Sequence, residues 1–70
     1  MTERIEVFVN DRAVTVYRGM KVKHALITYD SDAYEACRKG AWSVRDENGF
    51  LVGLEGALHE GSRLFATRNE

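Results

Sequence analysis

The chain has 70 residues, of which 44% are hydrophobic, and its ten basic and eleven acidic side chains give a formal net charge of −1. A chain of this length has room for one domain, without a second lobe or a deep cleft, so we predict a single domain over residues 1–70. The charges are spread without a basic field, which argues against nucleic-acid binding. The apolar runs are too short for a membrane span or a signal peptide. We therefore expect a cytoplasmic protein.

The first elements are predicted by alternating apolar residues. Residues 5–9 place Ile5, Val7 and Val9 on one side, and residues 14–17 resume the alternation after Asn10-Asp11. Asn and Asp tolerate the positive φ that tight hairpin turns require, so this pattern predicts a β-hairpin with its valines on one face.

Two helical segments follow the break at Gly19. Residues 20–26 carry apolar side chains at helical spacing, and the β-branched stretch after them weakens this helix near its end. Asp30-Ser31-Asp32 offers an N-terminal cap for a second segment, Ala33 to Arg38, and Glu35 lies at capping-box spacing from Asp32. Ala33 and Cys37 then share one half-buried helix face, so Cys37, the single cysteine, is predicted to be structural.

The remainder of the chain returns to strand character. We predict strands at 42–45 and 50–52, joined by a turn at 46–49, and a last strand at Arg63 to Thr67. A last strand that arrives after a helical crossover can pair parallel to the first strand. The predicted fold class is therefore α+β, with a mixed sheet covered by helix on one face.

Three features together with the order of elements resemble a known superfamily. They are the strand Ile5-Glu6-Val7-Phe8-Val9-Asn10, the break at Gly19 and the closing segment Leu58-His59-Glu60-Gly61-Ser62-Arg63-Leu64. The chain resembles the β-grasp superfamily of ubiquitin, sulfur-carrier proteins, TGS domains and plant-type [2Fe-2S] ferredoxins. The resemblance implies a ubiquitin-like, mixed four- to five-stranded sheet, with one helix and a short second helical segment packed on one face.

Two departures from these families bear on function. Ferredoxin-type domains hold their cluster with four cysteine thiolates, whereas this chain has Cys37 alone. Sulfur carriers and ubiquitin act through a C-terminal diglycine, whereas this chain ends Ala66-Thr67-Arg68-Asn69-Glu70. We therefore expect no catalytic, cofactor-binding or metal-binding residues, and a non-enzymatic interaction or assembly module. The alternative is an accessory subunit of an electron-transfer or sulfur-transfer system descended from these families.

The candidate binding residues are those that alternation directs away from the valines. In a β-grasp sheet the last strand lies beside the first, so Phe8 and Phe65 are expected to be exposed together on the outer face, near Tyr17 and Arg63. A contiguous patch of this kind is typical of a protein contact, and isolated exposed aromatics are the alternative. The predicted partner is another protein, or a second copy in a weak homo-oligomer.

Overall fold

The computed structural model of the protein describes residues 3–69 and has an α+β fold, with a mixed five-stranded sheet and two helices. The elements in chain order are β1 Arg4–Val9, β2 Arg12–Tyr17, α1 Val22–Tyr29, α2 Ser31–Arg38, β3 Trp42–Asp46, β4 Leu51–Val52 and β5 Arg63–Arg68. The strands lie in the order β2-β1-β5-β3-β4. Strands β1 and β5 run parallel, and the other neighbouring pairs are antiparallel. The predicted parallel pairing of the first and last strands is therefore confirmed.

The core lies between the sheet and the helices. Every second residue of the central strands is buried, and these side chains meet the apolar face of α1, with Ala25 and Leu26 fully enclosed. Residues of α2 and β4 complete the core at its margin. Since one face of the sheet receives both helices, the opposite face, called here the outer face, is left to the alternate strand residues, which are even-numbered on β1 and odd-numbered on β2, β3 and β5.

The β1–β2 hairpin has the predicted two-residue turn. Asn10 has φ 52° and Asp11 has φ 67°, and Val9 pairs with Arg12 across the turn. Two positive φ angles in a two-residue loop define a type I′ turn, whose twist matches that of the strands. This register places Val7 opposite Val14 and Ile5 opposite Val16 on the buried face.

Asn10 also joins the hairpin to β5. Its side-chain Oδ1 accepts a hydrogen bond from the Ala66 N–H at 2.9 Å, and its Nδ2 donates to the Ala66 carbonyl at 3.2 Å. Nδ2 also lies 3.3 Å from the hydroxyl oxygen of Tyr29, at the end of α1. The backbone N–H of Asn10 donates to the Leu64 carbonyl at 2.9 Å. The amide thus continues the parallel ladder beyond the last residue of β1.

The helices differ from the sequence prediction at two points. Helix α1 continues through the β-branched residues to Tyr29, and the Thr28 hydroxyl donates to the His24 carbonyl at 2.9 Å, a bond that threonine forms readily inside helices. Helix α2 begins at Ser31, two residues before the predicted Ala33. Within the predicted cap segment Asp30-Ser31-Asp32, the cap residue is Asp30, whose carboxylate accepts from the Asp32 N–H at 2.9 Å. Within the described residues, neither helix has the length and apolarity needed to cross a membrane.

The segment between β4 and β5 holds the start of α1. The N–H groups of Val22 and Lys23 donate to the carbonyls of Gly56 and Leu54 at 3.0 and 2.9 Å. The first N–H groups of a helix have no acceptor within the helix. Here the carbonyls of the loop between β4 and β5 are the acceptors. A Cβ at Gly56 would lie 3.1 Å from the Gly53 carbonyl oxygen and 3.3 Å from Cγ2 of Val22, so a side chain here would displace its neighbours by a few tenths of an ångström.

The Asn10 bridge yields a stability prediction. Asn10→Gly should lower the free energy of unfolding by about 1–3 kcal/mol, because the buried Ala66 N–H loses its acceptor, whereas Asp11→Gly should change it by less than about 0.5 kcal/mol. Glycine accepts the positive φ at either position, so the difference isolates the side-chain bonds. Urea unfolding of both variants measures it, and equal losses would contradict the bridge.

Candidate functional site

The outer face carries a cluster of arginine and apolar side chains on four adjacent strands. Phe8 on β1 lies opposite Arg63 on β5. Two residues further along β5, Phe65 lies opposite Arg45 on β3, which in turn lies opposite Leu51 on β4. These five residues, Phe8, Arg45, Leu51, Arg63 and Phe65, are called here the outer patch. No helix of the described chain covers them, because both helices pack on the other face.

Arg63 is held in place by two neighbours. Its guanidinium carbon lies 4.5 Å from the centroid of the Phe8 ring, within the range of a cation–π contact. One of its nitrogens lies 3.7 Å from a carboxylate oxygen of Asp11. The side chain remains 45% exposed, so the stacked guanidinium presents free hydrogen-bond donors to solvent.

Arg45 is positioned by the turn that joins β3 and β4. Its Nη1 donates to the Gly49 carbonyl at 2.8 Å, and the turn itself is fixed by Asp46, whose Oδ1 accepts from the N–H groups of Asn48 and Phe50 at 2.9 and 3.0 Å. A guanidinium has five N–H donors, so one bond to a carbonyl leaves most of them available. The outer patch therefore has two arginines next to Phe65: Arg63 lies two residues before it on β5, and Arg45 lies opposite it on β3.

Phe8 and Phe65 both lie on the outer face, as alternation predicted, and each is partly exposed. The Arg63 guanidinium covers part of Phe8. Phe65 lies on a central strand, with β1 on one side and Arg45 of β3 on the other. Strand alternation assigns a face to each side chain, but it does not show which neighbours will cover it.

Tyr17 lies apart from the other three predicted residues. It pairs with Arg4, whereas Phe8 pairs with Ala13 at the other end of the hairpin. Four residues of an extended strand separate the two levels, or about 13 Å. Tyr17 is 44% exposed and belongs to the edge strand β2. The structure thus brings Phe8, Arg63 and Phe65 together and leaves Tyr17 outside the outer patch.

The most exposed large apolar side chains were missed by the sequence analysis. Phe50, the residue before β4, is 68% exposed, and Leu51, the first residue of β4, is 64% exposed. Strand β4 forms one edge of the sheet. The sequence pattern predicted a strand at 50–52, but it did not show that this strand would lie at an edge of the sheet that no helix covers. The signal available in the sequence was the pair of adjacent bulky residues after Asn48-Gly49, since only one of two consecutive strand residues can face the core.

Beside β4 lies an open groove of about 370 Å³. Strand β4 pairs with Val44 and Arg45 only, so β3 extends beyond it at Trp42 and Ser43. The groove is lined by Cys37, Trp42, Ser43, Val44, Leu51, Val52, Gly53 and Leu54. Its wall is mainly apolar, and α2 closes one side through Cys37.

Cys37 is partly buried in this groove, and burial raises the pKa of its thiol above the ordinary value. A raised pKa lowers the thiolate fraction at neutral pH, and the thiolate is the nucleophile. Cys37 is therefore poorly suited to nucleophilic or redox chemistry in this position.

A second concavity of about 490 Å³ lies between the β3–β4 turn and the segment before β5. Its polar side chains are used for local structure: Asp46 holds the turn, and the Ser62 hydroxyl accepts from the His59 N–H at 3.1 Å. The other histidine, His24, accepts from the Lys21 N–H through Nδ1 at 2.8 Å. Among residues 3–69, no group of three or more His, Cys, Asp or Glu side chains could hold a metal ion.

No family model matches the chain, and no curated protein matches it. A functional site is therefore inferred from the chain's own residues.

The burial of Cys37 yields a prediction about reactivity. The rate of alkylation by iodoacetamide should rise with pH along a curve displaced to higher pH in the folded protein relative to the urea-unfolded chain, because burial raises the thiol pKa. Mass spectrometry of timed samples measures both curves. Coincident curves, or a folded-state curve at lower pH, would contradict the assignment of Cys37 as an unreactive, partly buried thiol.

Proposed function

We propose that the chain is a non-catalytic protein-interaction module of the β-grasp type, and that the outer patch binds another protein. The observation that carries this proposal is the concentration of two phenylalanines, one leucine and two arginines on the sheet face that neither helix covers. A solvated sheet face ordinarily carries polar residues, so an apolar and arginine-rich face of this kind favours a contact surface.

The β-grasp assignment is supported by the arrangement of the elements. A hairpin is followed by a helix that packs on its valine face, and β5 enters the sheet parallel to β1. The antiparallel strands β3 and β4 lie on the far side of β5. This order agrees with the arrangement that the resemblance to ubiquitin and ferredoxin-like domains implies.

The chemistry of the outer patch also indicates what kind of protein surface would fit. Arg63 and Arg45 lie next to Phe65 and keep free donors, and the planar guanidinium pairs well with carboxylates. Phe65 and Phe8 together provide an apolar contact area. The proposed partner therefore places an apolar side chain against Phe65 and at least one carboxylate against an arginine, and arginine and aromatic residues commonly dominate the affinity of such contacts.

Cross-linking in the producing cells tests this proposal. With the photoreactive residue p-benzoylphenylalanine in place of Phe65, irradiation should give one discrete adduct with another protein, and Arg63→Glu should remove it. The same residue in place of Tyr17, about 13 Å from the level of Phe8 along the hairpin, should give no such adduct. Equal adducts from both positions, or an adduct unaffected by Arg63→Glu, would contradict the proposal.

Variants of the purified protein separate binding from folding once the adduct has been identified. Phe65→Ala should weaken binding by about 2 kcal/mol or more. Its unfolding free energy should fall by less than that of Val7→Ala, a fully buried substitution that should cost about 0.5–3 kcal/mol. A loss of stability in Phe65→Ala as large as that in Val7→Ala would show that the Phe65 ring serves the core.

A further inference from the structure

The turn between β3 and β4 carries an asparagine whose surroundings differ from those of the other two asparagines of the chain. Both side-chain polar atoms of Asn10 bond to Ala66, and both of those of Asn69 bond to β3 and the segment before it. Asn48 is exposed and is followed by Gly49. Among residues 3–69, its side-chain amide forms no hydrogen bond.

An unrestrained asparagine followed by glycine can lose its side-chain nitrogen without an enzyme. The backbone nitrogen of Gly49 attacks Cγ of Asn48, ammonia leaves with the former backbone proton, and a cyclic succinimide forms. Water then opens the ring at either carbonyl, which gives aspartate or isoaspartate without oxidation or reduction. Glycine has no Cβ to hinder this approach. Apart from its chain neighbours, no atom lies within 4 Å of the position that a Cβ of Gly49 would take.

We propose that Asn48 is a site of spontaneous deamidation, that Asp46 sets the rate of this reaction, and that the product displaces Arg45 in the outer patch. The inference goes beyond the proposed function because it assigns a modification site. Only its consequence for partner binding rests on the proposed function.

The hydrogen bonds of the turn explain why the rate depends on Asp46. The Gly49 N–H, whose nitrogen is the attacking atom, donates to the Asp46 carbonyl at 3.0 Å. The Asp46 carboxylate accepts from the N–H groups of Asn48 and Phe50 at 2.9 and 3.0 Å. The Gly49 nitrogen must leave this arrangement before it can reach Cγ of Asn48. The turn therefore has to open first, and the bonds to the carboxylate oppose its opening.

The strand that follows the turn holds it only weakly. Strand β4 has two residues and pairs only with Val44 and Arg45. The first residue of β4, Leu51, and the residue before it, Phe50, are 64% and 68% exposed. Segments with few buried apolar contacts open at a lower free energy than the core does. The turn is therefore expected to open while the rest of the sheet stays folded.

The product alters the contact that positions Arg45. Its Nη1 donates to the Gly49 carbonyl at 2.8 Å. Isoaspartate inserts one additional methylene into the backbone between positions 48 and 49, which shifts that carbonyl. Either product also places a new carboxylate in the turn, and a carboxylate competes with that of a partner for the guanidinium. Deamidation should therefore weaken any binding that depends on Arg45.

Timed incubation of the folded protein at mildly alkaline pH tests the site. Mass spectrometry of tryptic peptides should show an OH group in place of NH2 at position 48, with isoaspartate among the products, while Asn10 and Asn69 stay intact. The guanidinium-unfolded chain should react faster at Asn48, because the turn is absent. An intact Asn48 in the folded protein when the unfolded chain is fully converted, or equal rates at the three asparagines, would overturn the site.

Two substitutions of equal charge test the role of Asp46. Asp46→Asn keeps an acceptor oxygen but removes its charge, and neutral acceptors form weaker hydrogen bonds, so deamidation at Asn48 should be about threefold to tenfold faster. Glu47→Gln is the matched control, because it removes the same charge from an exposed side chain that forms no hydrogen bond in the turn. Its rate should equal that of the unmodified protein. Equal rates for the two variants would contradict the role of Asp46.

Hydrogen exchange covers the case in which Asp46→Asn fails to fold. In the unmodified protein the Gly49 N–H should exchange through local opening, at a rate that low denaturant concentrations do not change. The amide of Val7, in the core of the sheet, should exchange faster as denaturant is added. Exchange of Gly49 with the same denaturant dependence as Val7 would overturn the local opening.

The effect on the outer patch is measured on the converted protein, which ion exchange separates because it carries one more negative charge. In NMR spectra the Nε–H signal of Arg45 should shift, while that of Arg12, on the opposite edge strand, should not. An unshifted Arg45 signal would overturn the proposed displacement. This measurement needs no partner, so it is independent of the Phe65 cross-linking, whose failure would count against the proposed function alone.

Discussion

The side-chain amide of Asn10 is the contact on which the arrangement of the sheet depends. The parallel ladder between β1 and β5 is short, with Phe8 opposite Arg63 and Val9 opposite Leu64, and Asn10 extends it by bonding both backbone groups of Ala66. The same residue adopts the positive φ that the hairpin turn requires. One residue thus sets the turn, the position of β5 and, through β5, the level at which Arg63 and Phe65 stand on the outer face.

The order of strands and helices could be predicted because each element has its own local pattern. Alternating valines and the Asn10-Asp11 pair define the hairpin, and these signals need no knowledge of distant residues. The candidate site was harder to predict from the sequence, because it depends on the register between strands that are far apart in the chain. Tyr17 and Phe8 lie on the same face of the sheet, yet the turn places them at opposite ends of the hairpin.

The sequence also did not show which side chains would be covered by residues distant in the chain. The shielding of Phe8 by Arg63 comes from a residue 55 positions later, and the exposure of Phe50 follows from the brevity of β4. The helix cap shows the same limit on a smaller scale. Asp30 and Asp32 are both good cap residues, and the choice between them depends on where α1 ends.

The central position of β5 has a consequence for how the protein is made. β5 is synthesised after all the other described elements, yet it lies between β1 and β3. Until it emerges from the ribosome, the nascent chain can form the hairpin and helices but must leave the inner edge of β1 unpaired. Closing contacts over so long a stretch of chain slows folding, and an open strand edge during that interval is prone to association with other chains. Translational pauses before β5 should therefore be more hazardous for this domain than pauses elsewhere.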